Sequence, residues 1–152
     1  MPLKEAVELV KKGRMYAQRT KFKEALAYYN KALTLDPKYA EGWYFRASAL
    51  IDMGNPAEAL ADCERALAIN PSFSEVWSKK GLALFNLERF DDALFACTRA
   101  LNLNSNDALA WYIKGVCLDE LDRPEEAQEA YGKSLELEII LDMDAERRKI
   151  GR

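Results

Sequence analysis

An all-α array of helical hairpins is the fold class this sequence predicts, and three regularities carry the prediction. Trp43, Trp77 and Trp111 stand 34 residues apart, and the same step back from Trp43 falls on Leu9. Four residues after each of these comes a small residue (Gly13, Ala47, Gly81, Gly115), and three further on a large apolar one (Tyr16, Leu50, Leu84, Leu118). Spacing of i, i+4, i+7 is one helical face. Further along, an alanine (Ala25, Ala59, Ala93, Ala127) is followed four residues later by Tyr29, Cys63, Cys97 or Tyr131, then by Ala32, Ala66, Ala100 or Ser134, a second helical face. Glycine within a helix costs about 1 kcal/mol relative to alanine. Its use at three equivalent positions therefore points to close approach of a neighbouring helix.

These residues, Trp, Gly and a large apolar residue, then Ala, an aromatic or small residue and Pro, resemble the tetratricopeptide repeat, a 34-residue helical hairpin. The resemblance implies a right-handed α-solenoid of four repeats, at 6–39, 40–73, 74–107 and 108–141, with a C-terminal helical tail over 142–152 in one domain spanning 1–152. The leucine that the family places beside the glycine is here Lys12, Arg46, Lys80 or Lys114. The closing proline is present as Pro37 and Pro71 but replaced by Ser105 and Ile139.

In order, residues 2–19 predict a first helix with Pro2 at its first position, where a missing N–H is harmless. Thr20-Lys21 turns the chain into a helix at 22–36, stopped before Pro37. Helices follow at about 40–53 and 56–69, joined by Gly54-Asn55-Pro56, with Asn55 as the cap and Pro56 as the start. The next pair falls near 74–87 and 90–103 and ends in Asn104-Ser105-Asn106-Asp107, four residues that favour turns and caps. The last pair starts near 108–121 and again at Pro124. From there no stop signal beyond Gly132 intervenes before Lys149, so the final helix overshoots the stack. Counting on from 142 puts Ala145 where Trp belongs and Lys149 where Gly belongs, so no fifth unit begins.

The chain has 152 residues, with 22 basic, 25 acidic and no histidine, a net −3. Four hairpins suit that length, each burying its apolar face against its neighbours. Charge is uneven: residues 1–39 hold 9 basic and 4 acidic residues, net +5, and residues 40–152 hold 13 and 21, net −8. The absence of histidine removes His-based general bases, triads and metal ligands. No CxxC pair and no glycine-rich phosphate loop is present. Acidic pairs such as Asp91-Asp92 and Glu125-Glu126 open second helices, where they suit the helix dipole. No enzymatic activity, cofactor or metal is expected. The acidic balance argues against nucleic acid as a partner, and the basic excess of residues 1–39 lacks an aromatic stacking platform. Three cysteines, two at one equivalent inner position, read as buried reduced thiols and favour a reducing compartment. No run reaches the roughly 18 apolar residues of a membrane span, and Met1-Pro2-Leu3-Lys4-Glu5 reads as a helix start rather than a signal peptide. A cytoplasmic protein without a membrane partner is expected.

The four cations at one register, Lys12, Arg46, Lys80 and Lys114, are either a ladder for an acidic ligand or side chains whose aliphatic stems cover the seam between helices. The second reading is preferred. The face of each first helix opposite the Trp/Gly/Leu face should be polar, yet it is rich in apolar residues. The resemblance places that face in a groove that binds an extended or helical peptide. Candidate groove residues are Arg14, Tyr44, Phe45, Ser48, Asp52, Lys79, Leu82, Phe85, Asn86, Leu109, Tyr112, Ile113 and Val116, an apolar surface rimmed by polar groups. A subset of the family grips the C-terminal carboxylate of cytosolic chaperones through Lys, Asn and Arg. The corresponding positions here hold Val10, Arg14, Phe45, Glu75 and Lys79, or, one repeat later, Tyr44, Ser48, Lys79, Leu109 and Ile113. Neither set supplies that clamp. The expected function is an interaction scaffold for a protein or peptide partner. The alternative is self-assembly into a homo-oligomer through Ile139, Ile140, Met143 and Ile150 of the last helix.

Overall fold

The first helix begins at Lys4, because Pro2 and Leu3 are held extended: the Leu3 amide donates to the Asp36 carboxylate at 3.0 Å. Pro2 thus stands outside the helix it was expected to open. The computed structural model describes residues 1–150, the side chain of Ile150 excepted. Among these residues there are eight helices and no strand: α1 Lys4–Gln18, α2 Phe22–Leu35, α3 Ala40–Asp52, α4 Pro56–Ile69, α5 Ser74–Asn86, α6 Phe90–Leu103, α7 Ala108–Glu120 and α8 Pro124–Ile150. Each helix packs against the next, and α1, α3, α5 and α7 also touch in succession. The chain is an α-solenoid of helical hairpins.

Two recurring turns build the stack. Between the helices of each hairpin, Thr20, Gly54, Glu88 and Asp122 all adopt left-handed backbone, with φ of 59°, 79°, 58° and 57°. Only the second hairpin uses glycine, the residue that takes this conformation without steric cost. Asn55 makes no side-chain cap, contrary to expectation; its own amide returns to the Leu50 carbonyl at 2.8 Å across the left-handed turn. Between hairpins, Asp36, Asn70 and Asn104 each accept the amide two residues on, at 3.2, 3.1 and 3.1 Å, the self-bracing turn typical of Asx residues. Trp43, Trp77 and Trp111 then donate their indole N–H to the carbonyls of Pro37, Pro71 and Ser105, at 2.8, 2.9 and 2.9 Å. The contact uses only the carbonyl, which is why serine serves in place of proline. At the equivalent place in the last hairpin stand Glu138 and Ile139, which supply neither turn nor stop. The 27-residue α8 runs straight on, about 40 Å long.

Within each hairpin the glycine register meets a side chain of the partner helix. A Cβ on Gly13 or Gly115 would lie 2.5 Å from the ring of Tyr29 or Tyr131, and one on Gly81 would lie 2.5 Å from Cys97 Sγ. In the second hairpin Ala47 and Cys63 pack in one buried cluster. Bulk is thus exchanged across the seam, ring against no side chain, thiol against glycine or alanine, as close packing demands. Leu26, Leu60 and Leu94 each bridge two neighbouring clusters and fasten one hairpin to the next. Their counterpart at the open end of the stack is the exposed Gln128.

Cys63, Cys97 and Cys117 are free and buried. Burial pushes the Cys63 thiol up to about 12 and the Cys117 thiol to about 11, and raises Cys97 as well. These thiols are inert in the folded chain, since the thiolate is the reactive form. Asp62 is the one fully buried carboxylate among the described residues, 3.5 Å from Arg46 and 3.1 Å from Arg65. Desolvation outweighs both guanidinium groups and holds its pKa above the ordinary carboxylate value.

Candidate groove

The side-by-side contact of α1, α3, α5 and α7 makes one continuous wall, and most of the expected groove residues lie on it. At its N-terminal end, Arg14, Phe45, Ser48 and Asp52 line a cavity of about 270 Å³. The Arg14 guanidinium lies 4.4 Å above the Phe45 ring, which covers the outer face of that ring and leaves opposite charges, Arg14 and Asp52, at the cavity edge. Next along, Tyr44 packs its ring against Phe45 at 5.0 Å and Phe73 at 5.3 Å. Burial and the negative charge of Glu75 raise its phenol above the ordinary value. At the other end, Leu82, Phe85 and Val116 are half-buried around the α5/α7 contact, with Phe85 against Phe90 at 5.6 Å. Leu109 and Tyr112 are exposed, Tyr112 by 53 % of its surface while leaning on Tyr131 at 5.9 Å. Lys79 is half-buried and Asn86 exposed.

One expected groove residue is corrected. Ile113 is only 1 % exposed, because α5 and α7 pack so closely that its side chain joins Leu84, Ala93 and Cys97 in the core. It supports the wall without facing it. Phe45, at the equivalent place in α3, is only half-buried: Arg14 lies over its outer face, and Ala17 and Ala49 line the cavity beside it.

A polar pair absent from the sequence-derived set stands behind and beside the middle of the wall. The Ser78 hydroxyl, 2 % exposed, donates to Asp107 Oδ2, while Asp107 Oδ1 accepts the Ala110 amide at 3.0 Å and caps α7. Ser78 and Asp107 stand 34 residues after Tyr44 and Phe73, a pair in ring contact. The signal was present in that register: an aromatic pair in one hairpin becomes a hydrogen-bonded pair in the next. The wall therefore alternates, apolar around Tyr44, polar at Glu75 and Asp107, and apolar again from Leu82 to Tyr112.

The cation register points elsewhere. Arg46, Lys80 and Lys114 sit over the rings of Trp43, Trp77 and Trp111 at 5.8, 5.2 and 5.1 Å. Arg65 and Arg99 of the second helices approach the first two of these rings at 4.8 and 5.5 Å. These charges cover the tryptophans that bind the connecting turns, which is a seam role.

Among the described residues no group of His, Cys, Asp or Glu is placed to hold a metal ion, and no helix is long and apolar enough to cross a membrane.

A stack of helical hairpins with a continuous wall of first helices defines a helical-repeat interaction scaffold. Models of the tetratricopeptide repeat match residues 16–83, 74–107 and 96–129, and the chain belongs to the tetratricopeptide repeat family. Among solved structures it resembles the first tetratricopeptide domain of Spaghetti (RPAP3), recorded bound to the HSP90 peptide SRMEEVD. That match has 30 % identity and a TM-score of 0.76, over 78 % of this chain and 94 % of that one. It also resembles MamA at 23 % identity and a TM-score of 0.80, over 91 % and 81 % of the two chains. The tetratricopeptide domain of Aspergillus fumigatus Sgt2 matches at 23 % and 0.77, over 82 % and 83 %. The last two likenesses speak for the fold alone. A search of curated protein sequences returns no significant match.

Proposed function

We propose that this protein is a non-catalytic adaptor whose wall of first helices binds a peptide segment of a partner, with apolar side chains docking at Tyr44 and at Leu82, Leu109 and Tyr112, on either side of a polar centre. The observation that carries the reading is the half-exposed apolar surface along α3, α5 and α7, interrupted by Glu75 and Asp107. Aromatic groups in partly desolvated settings supply much of the affinity at such surfaces. The Spaghetti domain holds its peptide in the same fold, which supports peptide binding as the use of this wall. The carboxylate clamp is not part of the proposal: Val10 and Ile113 are buried, and Glu75 would repel a terminal carboxylate.

The test is selection of linear peptides from a display library, followed by fluorescence anisotropy on an enriched peptide. Leu109→Ala with Tyr112→Ala changes exposed side chains, so the helical signal should persist while affinity falls by about tenfold or more, roughly 1.4 kcal/mol. Unchanged affinity would refute the assignment to this wall. Free-acid and amidated forms of the peptide should bind alike; a strong preference for the free acid would restore a clamp.

A second reading, self-association through α8, is favoured by one observation: Leu135, Ile139, Ile140 and Met143 are about half exposed on a helix that outruns the stack. The side chain of Ile150, also assigned to that surface from sequence, lies outside those described. Light scattering on the full chain beside one truncated after residue 138 separates the readings. Loss of a dimer on truncation supports it, and a monomer in both removes it.

A further inference from the structure

The free end of α8 has a polarity that says how two copies would meet. Leu33, Leu67 and Leu101 are 6, 8 and 9 % exposed, because the next hairpin covers each of them. Leu135, at the equivalent place, is 58 % exposed, with no helix among the described residues packed over it. At about 100° per residue, Ile139 and Met143 prolong its stripe along the overshooting part of the helix. Glu146 falls on the same face beyond Met143, and the charged residues on the two edges of the stripe are ordered. On one edge Glu136 precedes Arg147; on the other Glu138 and Asp142 precede Lys149. Each edge therefore runs from acidic to basic along the chain. Over residues 124–146 there are 8 acidic residues and 1 basic one, and Arg147-Arg148-Lys149 follow at once.

Resting on the reading that α8 mediates self-association, we propose that two copies pair antiparallel through α8, on a two-fold axis near residues 142–143, with Met143 beside the Met143 of the other copy and Leu135 and Ile139 lying along its residues 146–150. In a parallel pair the two edges lie side by side at the same height, so Glu136 faces the level of Glu138 and Arg147 that of Lys149, acid by acid and base by base. In an antiparallel pair the acidic half of one helix lies along the basic half of the other, the complementary arrangement. The two-fold pairing closes on itself and leaves both groove walls unobstructed at opposite ends. The Glu146 to Lys149 bond at 2.8 Å does not oppose it, since an exposed pair three residues apart exchanges partners at little cost. The overlapping segment, residues 135–150, is about 24 Å long, enough for roughly four turns of contact.

Sedimentation equilibrium of the full chain, up to about 0.3 mM at low salt, provides the test. Wild type should pass from its 17.3 kDa monomer toward twice that mass. One variant carries Glu136→Lys and Glu138→Lys, and another carries Arg147→Glu and Lys149→Glu. All four sites are exposed, so circular dichroism should show unchanged helix content. Each variant alone should associate about tenfold more weakly. A one-to-one mixture should recover the wild-type association, because the reversed acids of one meet the reversed bases of the other. A chain with all four reversals should recover it unaided. Monomeric wild type throughout the range would overturn both the proposal and self-association by α8. A wild-type dimer indifferent to the reversals, or a mixture that fails to recover, would leave self-association standing and overturn the antiparallel arrangement.

Discussion

Glycine at Gly115 illustrates how one atom decides a seam. Alanine there would gain about 1 kcal/mol in helix propensity. Its Cβ would stand 2.5 and 2.6 Å from two atoms of the Tyr131 ring, whose hydroxyl donates to Asp119 at 2.7 Å. Forcing the ring aside costs about 1–3 kcal/mol, as overpacking does. Gly115→Ala should therefore lower the thermal midpoint. Gly81→Ala should be milder, because its neighbour is the smaller Cys97 and the second hairpin already pairs Ala47 with Cys63; equal effects would contradict this account. Asp62 carries the second residue-scale prediction. Its folded pKa is raised above the ordinary 3.8 by burial. A raised pKa gives a stabilisation that is full below the unfolded value and lost as pH rises through the folded value. Compared with Asp62→Asn, wild type should gain melting temperature as pH falls from 7 toward 4. A gap that stays constant over that range would show that burial does not dominate. Alanine occupies the equivalent places as Ala96 and Ala130, so Asp62→Ala should fold.

At the scale of the element, the turns within hairpins show backbone geometry overriding local preference. Thr20, Glu88 and Asp122 are held left-handed where Gly54 shows what the turn prefers. For L-residues this conformation costs about 1–2 kcal/mol, and a β-branched side chain is least suited to it. Thr20→Gly should raise stability in urea by about 0.5–1 kcal/mol, net of the extra chain entropy glycine loses. A decrease would mean that the Thr20 hydroxyl, which donates to the Arg19 carbonyl at 2.7 Å, contributes more than the strain takes away. The overshoot of α8 is the reverse case. Asp36, Asn70 and Asn104 brace a turn that Glu138 and Ile139 cannot form, so the helix continues for want of an instruction to stop.

In the whole molecule, stability is shared between neighbours. Each hairpin touches only the adjacent ones, so opening should begin at the ends of the stack. Cys63, Cys97 and Cys117 sit in successive hairpins and are all buried, which makes them internal reporters. Pulsed alkylation followed by mass spectrometry should label Cys117 fastest, and Cys63 more slowly, because α7 and α8 have a neighbour on one side only. Equal rates at all three thiols would indicate a stack that opens as one cooperative unit.

The 34-residue register by itself determined the eight helices to within two residues, the hairpin pairing, the reason for the glycines and the unbroken last helix, because these depend on spacing, turn chemistry and the presence or absence of stop residues. Tertiary structure alone decided which apolar side chains of the wall are accessible. Ile113 and Tyr112 are adjacent in sequence and equally apolar in pattern, yet the close packing of α5 on α7 buries the first and leaves the second half free. It also decided that Ser78 and Asp107 pair behind the polar middle of the wall, and that the recurring cations rest on tryptophan rings. Those outcomes depend on distances between hairpins, which no periodicity within one hairpin specifies.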